Sequence, residues 1–501
     1  MKKNPKLSTS EIDGVEYRKA KTWQIILSQL FNGSASIFYS LVGLMSYLGN
    51  NGYGIAMAAI GYILTVTRVF DGLIDPFLAL MIDKVNTRFG KLRLFMGIGW
   101  LLRSAAMLML FVWSSNQGYG AIFFVIMYSF YIVGSSIYDI SGNMIPAVMT
   151  NDPKQRPMIM VWNTVYSYVV PTFVSILTAM VILPKFGNQY TSEMLSTAAL
   201  LYVPISLIFA ILCMIGVSEV DKPENFQGTA ASQQENLVGP KDMLRLFKRN
   251  RPFQMYIVSS VAAKLGQQTA SQAIISTLLF GIMIGNIQLG TLISSLSMFP
   301  AIIFSIVGAR YAGKHGNKAT TVNWTIISLV ISVISVIYLA VIDTRWIATN
   351  MLHTTIFFIL LMIGNGAKMC ITVANGAMRA DVIDYELDSS GKFIPGTINA
   401  TYNFVDQILT SFGATIAALG VAFVGYKTTV PQPTDMLTTP IKWMTIFLYF
   451  GVPMLGWLIG LVCMKYYKLD KSEMVNVQKR ISDKKAQQES TVVVEDVLVA
   501  E

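Results

Sequence analysis

The chain has 501 residues, of which 53% are hydrophobic and only 13% are charged, and its net charge at pH 7 is +10. A soluble protein usually carries about 25% charged residues, so this composition excludes an ordinary soluble domain. The basic excess does not indicate nucleic-acid binding, because Lys and Arg are scattered over short loops and form no aromatic-interleaved patch. Apolar stretches of about 20 residues or more recur along the chain, which predicts an all-α, polytopic membrane protein.

Cysteine and histidine usage argues against metal or redox chemistry. Cys213, Cys370 and Cys463 fall in three different apolar segments, and no CxxC pair occurs. The only histidines, His315 and His353, occupy loop or helix-end positions. The sequence contains no P-loop and no nucleophile–base constellation, so we expect neither an enzyme nor an ATP-driven pump, and no cofactor.

Twelve apolar segments are predicted to span the membrane. They cover about 23–48, 54–82, 94–114, 119–148, 158–183, 196–217, 254–283, 288–310, 321–342, 353–378, 396–425 and 440–465. The termini and the even-numbered loops hold 30 of the 38 basic residues, the odd-numbered loops hold four, and four lie within spans. The positive-inside rule therefore predicts a multi-pass protein of the cell membrane with both termini in the cytoplasm.

The stretch 218–253 divides the spans six and six. We expect a polar N-terminal segment (1–22, with no cleavable signal peptide), a first half (23–217), a cytoplasmic linker (218–253), a second half (254–465) and a tail (466–501). The linker is predicted to hold a short amphipathic helix near 241–249. A basic, glycine-containing loop follows the second span of each half, at 83–91 and 309–318, which indicates a degenerate repeat. Two six-helix halves are typical of the major facilitator fold.

Span 2 carries the most informative side chains. Arg68, Asp71 and Asp75 are spaced i, i+3 and i+7, which places all three on one helical face. A charge in hydrocarbon costs at least about 2.5–3.5 kcal/mol, so it needs a partner or a purpose. An acidic stripe on a membrane helix suggests a cation site. The alternatives are that Asp71 only forms a salt bridge with Arg68 and that Asp75 accompanies a kink at Pro76.

The span-2 motif resembles that of the glycoside–pentoside–hexuronide:cation symporters of the major facilitator superfamily. The motif runs from Asp71 to Pro76 and continues with Asp83, Arg88, Gly90, Lys91 and Arg93. Further similar segments are Tyr138-Asp139-Ile140 with Pro146, Asp152 and Arg156, then 381–386, and a Gly/Ala-rich span 11 that ends in Gly425-Tyr426. The resemblance covers nearly the whole chain. It implies twelve transmembrane helices in two six-helix halves and cation-coupled uptake of a sugar, glycoside or uronide.

The resemblance also implies which residues bind the coupling cation. By motif position the cation site consists of Asp71, Asp75 and Asp139, assisted by a hydroxyl one turn before the last, which is Ser136. Carboxylates and hydroxyls are suitable hard ligands for Na⁺, and buried carboxylates could carry H⁺ instead. No other metal is expected. For Asp139 the alternative is a simple partner for Arg103.

The sugar side departs from the family pattern. Span 1 has no acidic residue where the sugar permeases use an aspartate, Asn163 replaces an arginine in span 5, and Gln407 replaces a lysine in span 11. Polar recognition is still expected from Asn163, Gln407, Lys264, Lys368 and Gln268. The alternatives are that the lysines snorkel or pair with Asp406, and that the span-7 glutamines form interhelical hydrogen bonds.

The loop after span 2 is predicted to act in gating rather than in substrate binding. Its candidate residues are Asp83, Arg88, Gly90 and Arg93, and Asp384, with Asp381 and Glu386, is expected to act likewise in the second half. We expect a small-molecule substrate, surrounding membrane lipid and a functional monomer. A lysolipid or other amphipathic solute, export instead of uptake, and a transporter-like receptor remain alternatives, although the chain shows no large cytoplasmic signalling domain.

Overall fold

A computed structural model of the chain describes residues 8–12, 15–85, 90–150, 156–222, 240–391, 395–481 and 483. Nearly all regular segments in these residues are helical. The exception is an antiparallel pair of strands, β1 (Ser8–Ile12) and β2 (Val15–Lys19), in which Ser8 pairs with Lys19. Eleven helical segments within the described ranges are long and apolar enough to cross a membrane, which confirms the predicted class.

The N-terminal helices follow the predicted spans closely. In chain order they are α1 (Thr22–Ser28), α2 (Leu30–Gly43), α3 (Met45–Tyr53), α4 (Met57–Lys84), α5 (Lys91–Leu108), α6 (Gly120–Asn143), α7 (Ile145–Met149), α8 (Arg156–Leu177), α9 (Leu183–Lys185) and α10 (Ser192–Val217). The predicted first span is thus three short helices in succession. A π-helical turn continues α5 at Met109–Trp113 and α8 at Thr178–Ile182.

The C-terminal helices begin with the predicted amphipathic helix. They are α11 (Pro240–Arg249), α12 (Arg251–Ala270), α13 (Ala273–Ser276), α14 (Ile287–Leu296), α15 (Phe299–His315), α16 (Asn317–Val341), α17 (Trp346–Thr349), α18 (Met351–Ser390), α19 (Pro395–Phe423), α20 (Thr439–Ile446), α21 (Val452–Tyr466) and α22 (471–481). π-Helical segments follow α13 at Thr277–Met283 and α20 at Phe447–Gly451.

The predicted span 254–283 is the one that length and composition do not identify as a membrane helix in the described residues. Its first part, α12, carries Lys264, Gln267 and Gln268, and its second part is the shorter apolar segment Ala273–Met283. Ser271 and Gln272 separate the two parts. The polar side chains lower the hydropathy of α12, which explains why length and composition identify only eleven of the twelve predicted spans.

The chain divides into two compact units. Unit 1 comprises 1–235, 271–295 and 411–445, and unit 2 comprises 236–270, 296–410 and 446–501. Unit 1 therefore includes segments from the predicted second half. Within it, Tyr47 Oη donates to Thr277 Oγ1 at 2.5 Å, and the hydroxyls of Thr65 and Thr415 lie 2.6 Å apart. The predicted division into two six-helix halves follows helix order and remains a prediction.

Helix crossings at small residues fix the rotation of the helices that carry charged side chains. In unit 1, α5 and α6 cross so closely that a Cβ at Gly134 would lie 2.6 Å from the backbone nitrogen of Arg103. In unit 2, a Cβ at Gly266 would lie 2.5 Å from Cα of Pro453, so α12 packs directly on α21. Small residues at such crossings allow close backbone approach in membrane helices. These contacts orient Arg103 and Lys264.

Corresponding loops of the two halves contain a glycine with the same backbone conformation. Gly90 has φ 94° and ψ 152° before α5, and Gly316 has φ 92° and ψ 158° before α16. Both conformations are readily available only to glycine. A Cβ would collide at both places, with Asp221 beside Gly90 and with Lys471 beside Gly316. The sequence repeat thus has a structural counterpart.

The collision at Gly90 reflects a helix cap supplied from far along the chain. The buried carboxylate of Asp221 accepts hydrogen bonds from the backbone nitrogens of Lys91, Leu92 and Arg93 at 2.9, 3.0 and 2.9 Å. It also pairs with Nε of Arg93 at 3.2 Å. A carboxylate at a helix N-terminus satisfies otherwise unpaired amides and complements the helix dipole. Asp221 therefore joins the start of α5 to the segment after α10.

The end of α18 is tied to two neighbouring segments of unit 2. Buried Glu386 accepts hydrogen bonds from Arg249 and, at 2.8 Å, from Nδ2 of Asn250. Asp384 accepts from Gln478 of α22 at 2.7 Å. At the start of α22, hydrogen bonds from Ser472 Oγ and the Glu473 amide hold the pKa of Asp470 below its usual range.

Candidate functional site

The helix α4 presents Arg68, Asp71 and Asp75 on one face, as the spacing predicts. Ser136 on α6 donates a hydrogen bond to Oδ1 of Asp71 at 2.7 Å, and Arg68 Nη1 lies 4.0 Å from Oδ2 of Asp71. The side chain of Asp71 is 16% exposed and that of Arg68 is 40% exposed. Asp75 is half-buried on the following turn. The structure therefore brings together two of the predicted cation ligands, Asp71 and Ser136.

Asp139, on the same helix as Ser136, has a partner that the sequence did not suggest. Tyr39 of α2 donates its hydroxyl to Oδ2 of Asp139 at 2.9 Å. Oδ1 of Asp139 has no hydrogen-bond partner among the described residues. The alternative partner, Arg103, lies elsewhere: it donates to Ser34 at 2.8 Å and its guanidinium sits over the rings of Phe38 and Tyr138 at 4.3 and 3.6 Å.

These residues form what we call the carboxylate site, defined by Tyr39, Arg68, Asp71, Asp75, Ser136 and Asp139. The three carboxyl groups of this site outnumber its single guanidinium, that of Arg68, so a bound monovalent cation would offset negative charge. Within the described part of the chain, no group of three or more Asp, Glu, His or Cys side chains lies close enough to hold one metal ion. The structure thus places the predicted ligands in one region without joining them as a chelate.

A second charged group lies wholly within unit 2. Lys264 Nζ of α12 donates to Oδ2 of Asp406 of α19 at 2.8 Å, with side chains 42% and 21% exposed. The ammonium also lies 5.1 Å from the ring centroid of Tyr402. The Tyr402 hydroxyl is 2.8 Å from Ser260 Oγ, and the ring stacks on Tyr256 with centroids 5.4 Å apart. The predicted alternative partner of Lys264 is therefore its actual partner.

A second cation near the ring of Tyr402 is Arg379 of α18. Its guanidinium lies 3.8 Å from the ring centroid, closer than Lys264. It makes two long hydrogen bonds, 3.4 Å to the Tyr256 hydroxyl and 3.5 Å to Oδ1 of Asn399. We call Tyr256, Ser260, Lys264, Arg379, Tyr402 and Asp406 the Tyr402 cluster. It combines two cations, one carboxylate and an aromatic platform.

The remaining predicted substrate residues are dispersed. Lys368 of α18 lies 5.9 Å from the ring of buried Trp457, and its ammonium forms no hydrogen bond or ion pair with the described residues. Gln268 is exposed one turn beyond Lys264, and Gln407 is half-buried next to Asp406. Asn163 is half-buried on α8 in unit 1. Gln268 and Gln407 thus neighbour Lys264 and Asp406 along their own helices, whereas Asn163 belongs to the other unit.

The predicted gating residues contact their own units. Gly90 and Arg93 meet Asp221, and Asp384 meets Gln478. Arg88 lies outside the described residues, as does the side chain of Asp83. Their role in gating stays a prediction.

Sequence reasoning missed four residues of these arrangements. They are Tyr39, Asp221, Arg379 and Tyr402. Tyr39 and Tyr402 are phenols within apolar spans, and a polar tip in hydrocarbon usually requires a partner, which is a usable signal. Asp221 and Arg379 follow span ends, where charged residues are ordinary, so no local pattern distinguished them.

Comparison with known proteins places these features in a family. A family model described as MFS/sugar transport protein matches residues 27–471. A similar protein is YagG of Escherichia coli (strain K12), named as a candidate glycoside/cation symporter, with 23% identity over 91% of this chain and 94% of that protein. The isoprimeverose transporter of Lactiplantibacillus pentosus is 22% identical over 89% of each chain. The glucuronide carrier protein homolog of Escherichia coli (strain K12) is 22% identical over 83% and 87%.

Solved structures show the same fold. A bacterial homolog of the human lysosomal transporter Spinster, in an inward-facing and unoccupied conformation, matches with a TM-score of 0.59 at 11% identity, over 93% of this chain and 99% of that one. The nucleoside transporter NupG matches with a TM-score of 0.57 at 14% identity, over 90% and 100%. The apolar helices and these neighbours define an integral membrane protein of the major facilitator fold, and the family match makes it a transporter rather than an enzyme. The family match is more specific: the chain belongs to the MFS/sugar transport protein family.

Proposed function

We propose that this protein is a cation-coupled secondary symporter that takes up a sugar, glycoside or uronide by alternating access, with Na⁺ or H⁺ as the coupling ion. The observation that carries the proposal is the carboxylate site, where Asp71 and Asp139 each accept a hydroxyl hydrogen bond inside membrane-spanning helices. Ionisable groups at such positions are expensive, so they usually mark an ion or substrate pathway. The relatives, which are named as a glycoside/cation symporter and an isoprimeverose transporter, support the same class.

The cation would act by neutralising the carboxylate site. When its carboxyl groups are ionised, the site carries net negative charge within the membrane, which is costly, and a bound Na⁺ or H⁺ would lower that cost. Coupling then requires that the cation raise the affinity for the substrate and that the substrate raise the affinity for the cation by the same factor. Alternating access would break contacts between helices of the two sequence halves, such as the hydrogen bonds joining Tyr47 to Thr277 and Thr65 to Thr415.

Substrate hydroxyls would be bound by polar groups of the Tyr402 cluster. Lys264 retains ammonium hydrogens beyond its bond to Asp406, and Oδ1 of Asp406 has no hydrogen-bond partner among the described residues. A donor beside a carboxylate acceptor suits a pair of neighbouring sugar hydroxyls. Gln268, Gln407, Lys368 and Asn163 remain proposed contributors.

The test is uptake into proteoliposomes of purified protein. We expect accumulation of a labelled glycoside or uronide only when an inward Na⁺ or H⁺ gradient is imposed, and Asp71→Asn should abolish accumulation while leaving exchange of substrate. Asp343→Asn is a matched control, because Asp343 is an exposed loop carboxylate. Accumulation without any cation gradient would contradict the proposal. So would unchanged coupling in Asp71→Asn.

We also propose that both termini face the cytoplasm, that the protein functions as a monomer, and that Gly90, Arg93 and Asp384 belong to segments that rearrange during gating. Cysteines introduced at the exposed residues 21 and 471 should react with an impermeant maleimide in inside-out but not right-side-out vesicles. Labelling from the opposite side would reverse the orientation.

A further inference from the structure

The charges of the Tyr402 cluster do not cancel. Lys264 and Asp406 neutralise one another at 2.8 Å. Arg379 has no carboxylate within ion-pair distance among the described residues, and the acids that follow it on α18 have other partners: Asp381 accepts from Asn317, and Glu386 pairs with Arg249. The cluster therefore carries one uncompensated positive charge. A bound anion would compensate this charge.

The guanidinium of Arg379 is also held in a fixed orientation. It lies 3.8 Å from the centroid of the ring of Tyr402, which is only 2% exposed and is itself fixed by stacking on Tyr256. Its hydrogen bonds at 3.4 and 3.5 Å are long and use Nε and Nη1, so Nη2 donates to none of the described residues. Arginine stacked on an aromatic ring keeps its planar donor edge available for bidentate recognition of a carboxylate.

We propose that Arg379, stacked on the ring of Tyr402 beside the Lys264–Asp406 pair, forms a carboxylate-binding subsite, and that the transported solute is an acidic sugar. This inference rests on the proposed function and selects the uronide type of substrate within it. The charge balance distinguishes carboxylate from phosphate: one uncompensated positive charge matches one carboxylate, whereas a phosphate monoester carries about 1.5 to 2 negative charges at pH 7. Lys264 and Asp406 would bind the adjacent hydroxyls.

The experiment compares pairs of solutes that differ only in the acidic group. Proteoliposomes are offered methyl β-D-glucuronide against methyl β-D-glucoside, and D-galacturonate against D-galactose, under the same imposed Na⁺ or H⁺ gradient, with glucose 6-phosphate as a third arm. We expect the wild type to accumulate at least one acid in preference to its neutral partner. Arg379→Gln should lower the apparent affinity for that acid by about tenfold or more, because a charge-assisted bidentate contact is lost.

Further variants separate recognition from folding. Arg379→Lys keeps the charge but not the planar fork and should recover only part of the affinity. Tyr402→Phe keeps the ring and should change affinity by less than about threefold, whereas Tyr402→Leu should resemble Arg379→Gln. Arg310→Gln makes the same change at an exposed arginine of unit 2 and should have no effect.

The outcomes distinguish this inference from the proposed function. If gradient-driven uptake occurs for neutral sugars but for no acid, the carboxylate subsite is wrong and the symporter remains. A preference for glucose 6-phosphate over the acids would also overturn it. An Arg379→Gln variant that loses acid and neutral uptake equally would assign Arg379 to structure or gating. If no solute responds to either gradient, the proposed function itself fails.

Discussion

Replacing Gly90 by alanine should destabilise the protein more than almost any other glycine substitution in unit 1. At φ 94° and ψ 152° a side chain is strained, at a cost of about 1–3 kcal/mol. The added Cβ would lie 2.1 Å from Oδ2 of Asp221, so the carboxylate must move. Displacing it from even one of its amide hydrogen bonds costs about 1.5–3 kcal/mol. The expected loss is therefore about 3–6 kcal/mol.

Two other glycines separate these contributions. Gly54 has φ 66° and no atom within 4 Å of the place that a Cβ would occupy, so Gly54→Ala carries backbone strain alone, about 1–2 kcal/mol. Gly43 ends α2 with a helical backbone and open space, so Gly43→Ala should be neutral or stabilising by up to about 1 kcal/mol. The destabilisation caused by Asp221→Asn should lie between those of Gly43→Ala and Gly90→Ala, since the substitution keeps the shape of the cap and loses its charge.

The assay is thermal unfolding of the detergent-purified variants, followed by tryptophan fluorescence, with size-exclusion chromatography to confirm a folded starting state. The melting temperatures should fall in the order Gly43→Ala, wild type, Gly54→Ala, Gly90→Ala. If Gly90→Ala and Gly54→Ala have the same melting temperature, the Asp221 cap contributes nothing and the reasoning is wrong. If the melting temperature of Gly90→Ala equals that of the wild type, the argument from backbone strain fails as well.

Three other predictions concern the charged groups. Ser136→Ala removes the hydroxyl that donates to Asp71 at 2.7 Å, so the cation concentration giving half-maximal uptake should rise about tenfold; an unchanged value would exclude Ser136 from the site. Asp406→Asn should lower the free energy of unfolding by about 1–2 kcal/mol, a figure already discounted for the partial exposure of the pair. Adding Lys264→Met should restore most of that stability in the double variant. Additive losses in the double-mutant cycle would show that the two residues are not coupled. Lys368→Met should raise the melting temperature, because the described residues offer that ammonium no counter-ion, and a lower melting temperature would refute this.

The sequence predicted the helices well because hydrophobicity and helical periodicity are local properties. A run of about 20 apolar residues has few alternatives to a membrane helix, since every backbone group must be hydrogen-bonded in lipid. For the same reason the i, i+3, i+7 spacing was enough to place Arg68, Asp71 and Asp75 on one face of α4. The one span that length and composition did not identify, 254–283, is the one interrupted by polar residues.

Pairings between helices were harder to predict, because they depend on how each helix is rotated against its neighbours. Tyr39 reaches Asp139 across 100 residues of chain, and Asp221 reaches the amide of Lys91 across 130. Arg103 could have paired with Asp139 by composition alone, but the close crossing of α5 and α6 directs it towards Ser34 and the ring of Tyr138. No periodic pattern in one helix contains that information.

The sequence by itself thus determined the class of protein, the number and order of the membrane helices, and the helical face that carries the span-2 carboxylates. The tertiary structure decided which charges are satisfied. It joined Lys264 to Asp406, gave Asp71 and Asp139 separate hydroxyl partners, and placed Arg379 on Tyr402 with no carboxylate beside it among the described residues. The physical reason is that hydrophobicity acts residue by residue, whereas an ion pair or hydrogen bond exists only when packing brings two side chains within about 3–4 Å.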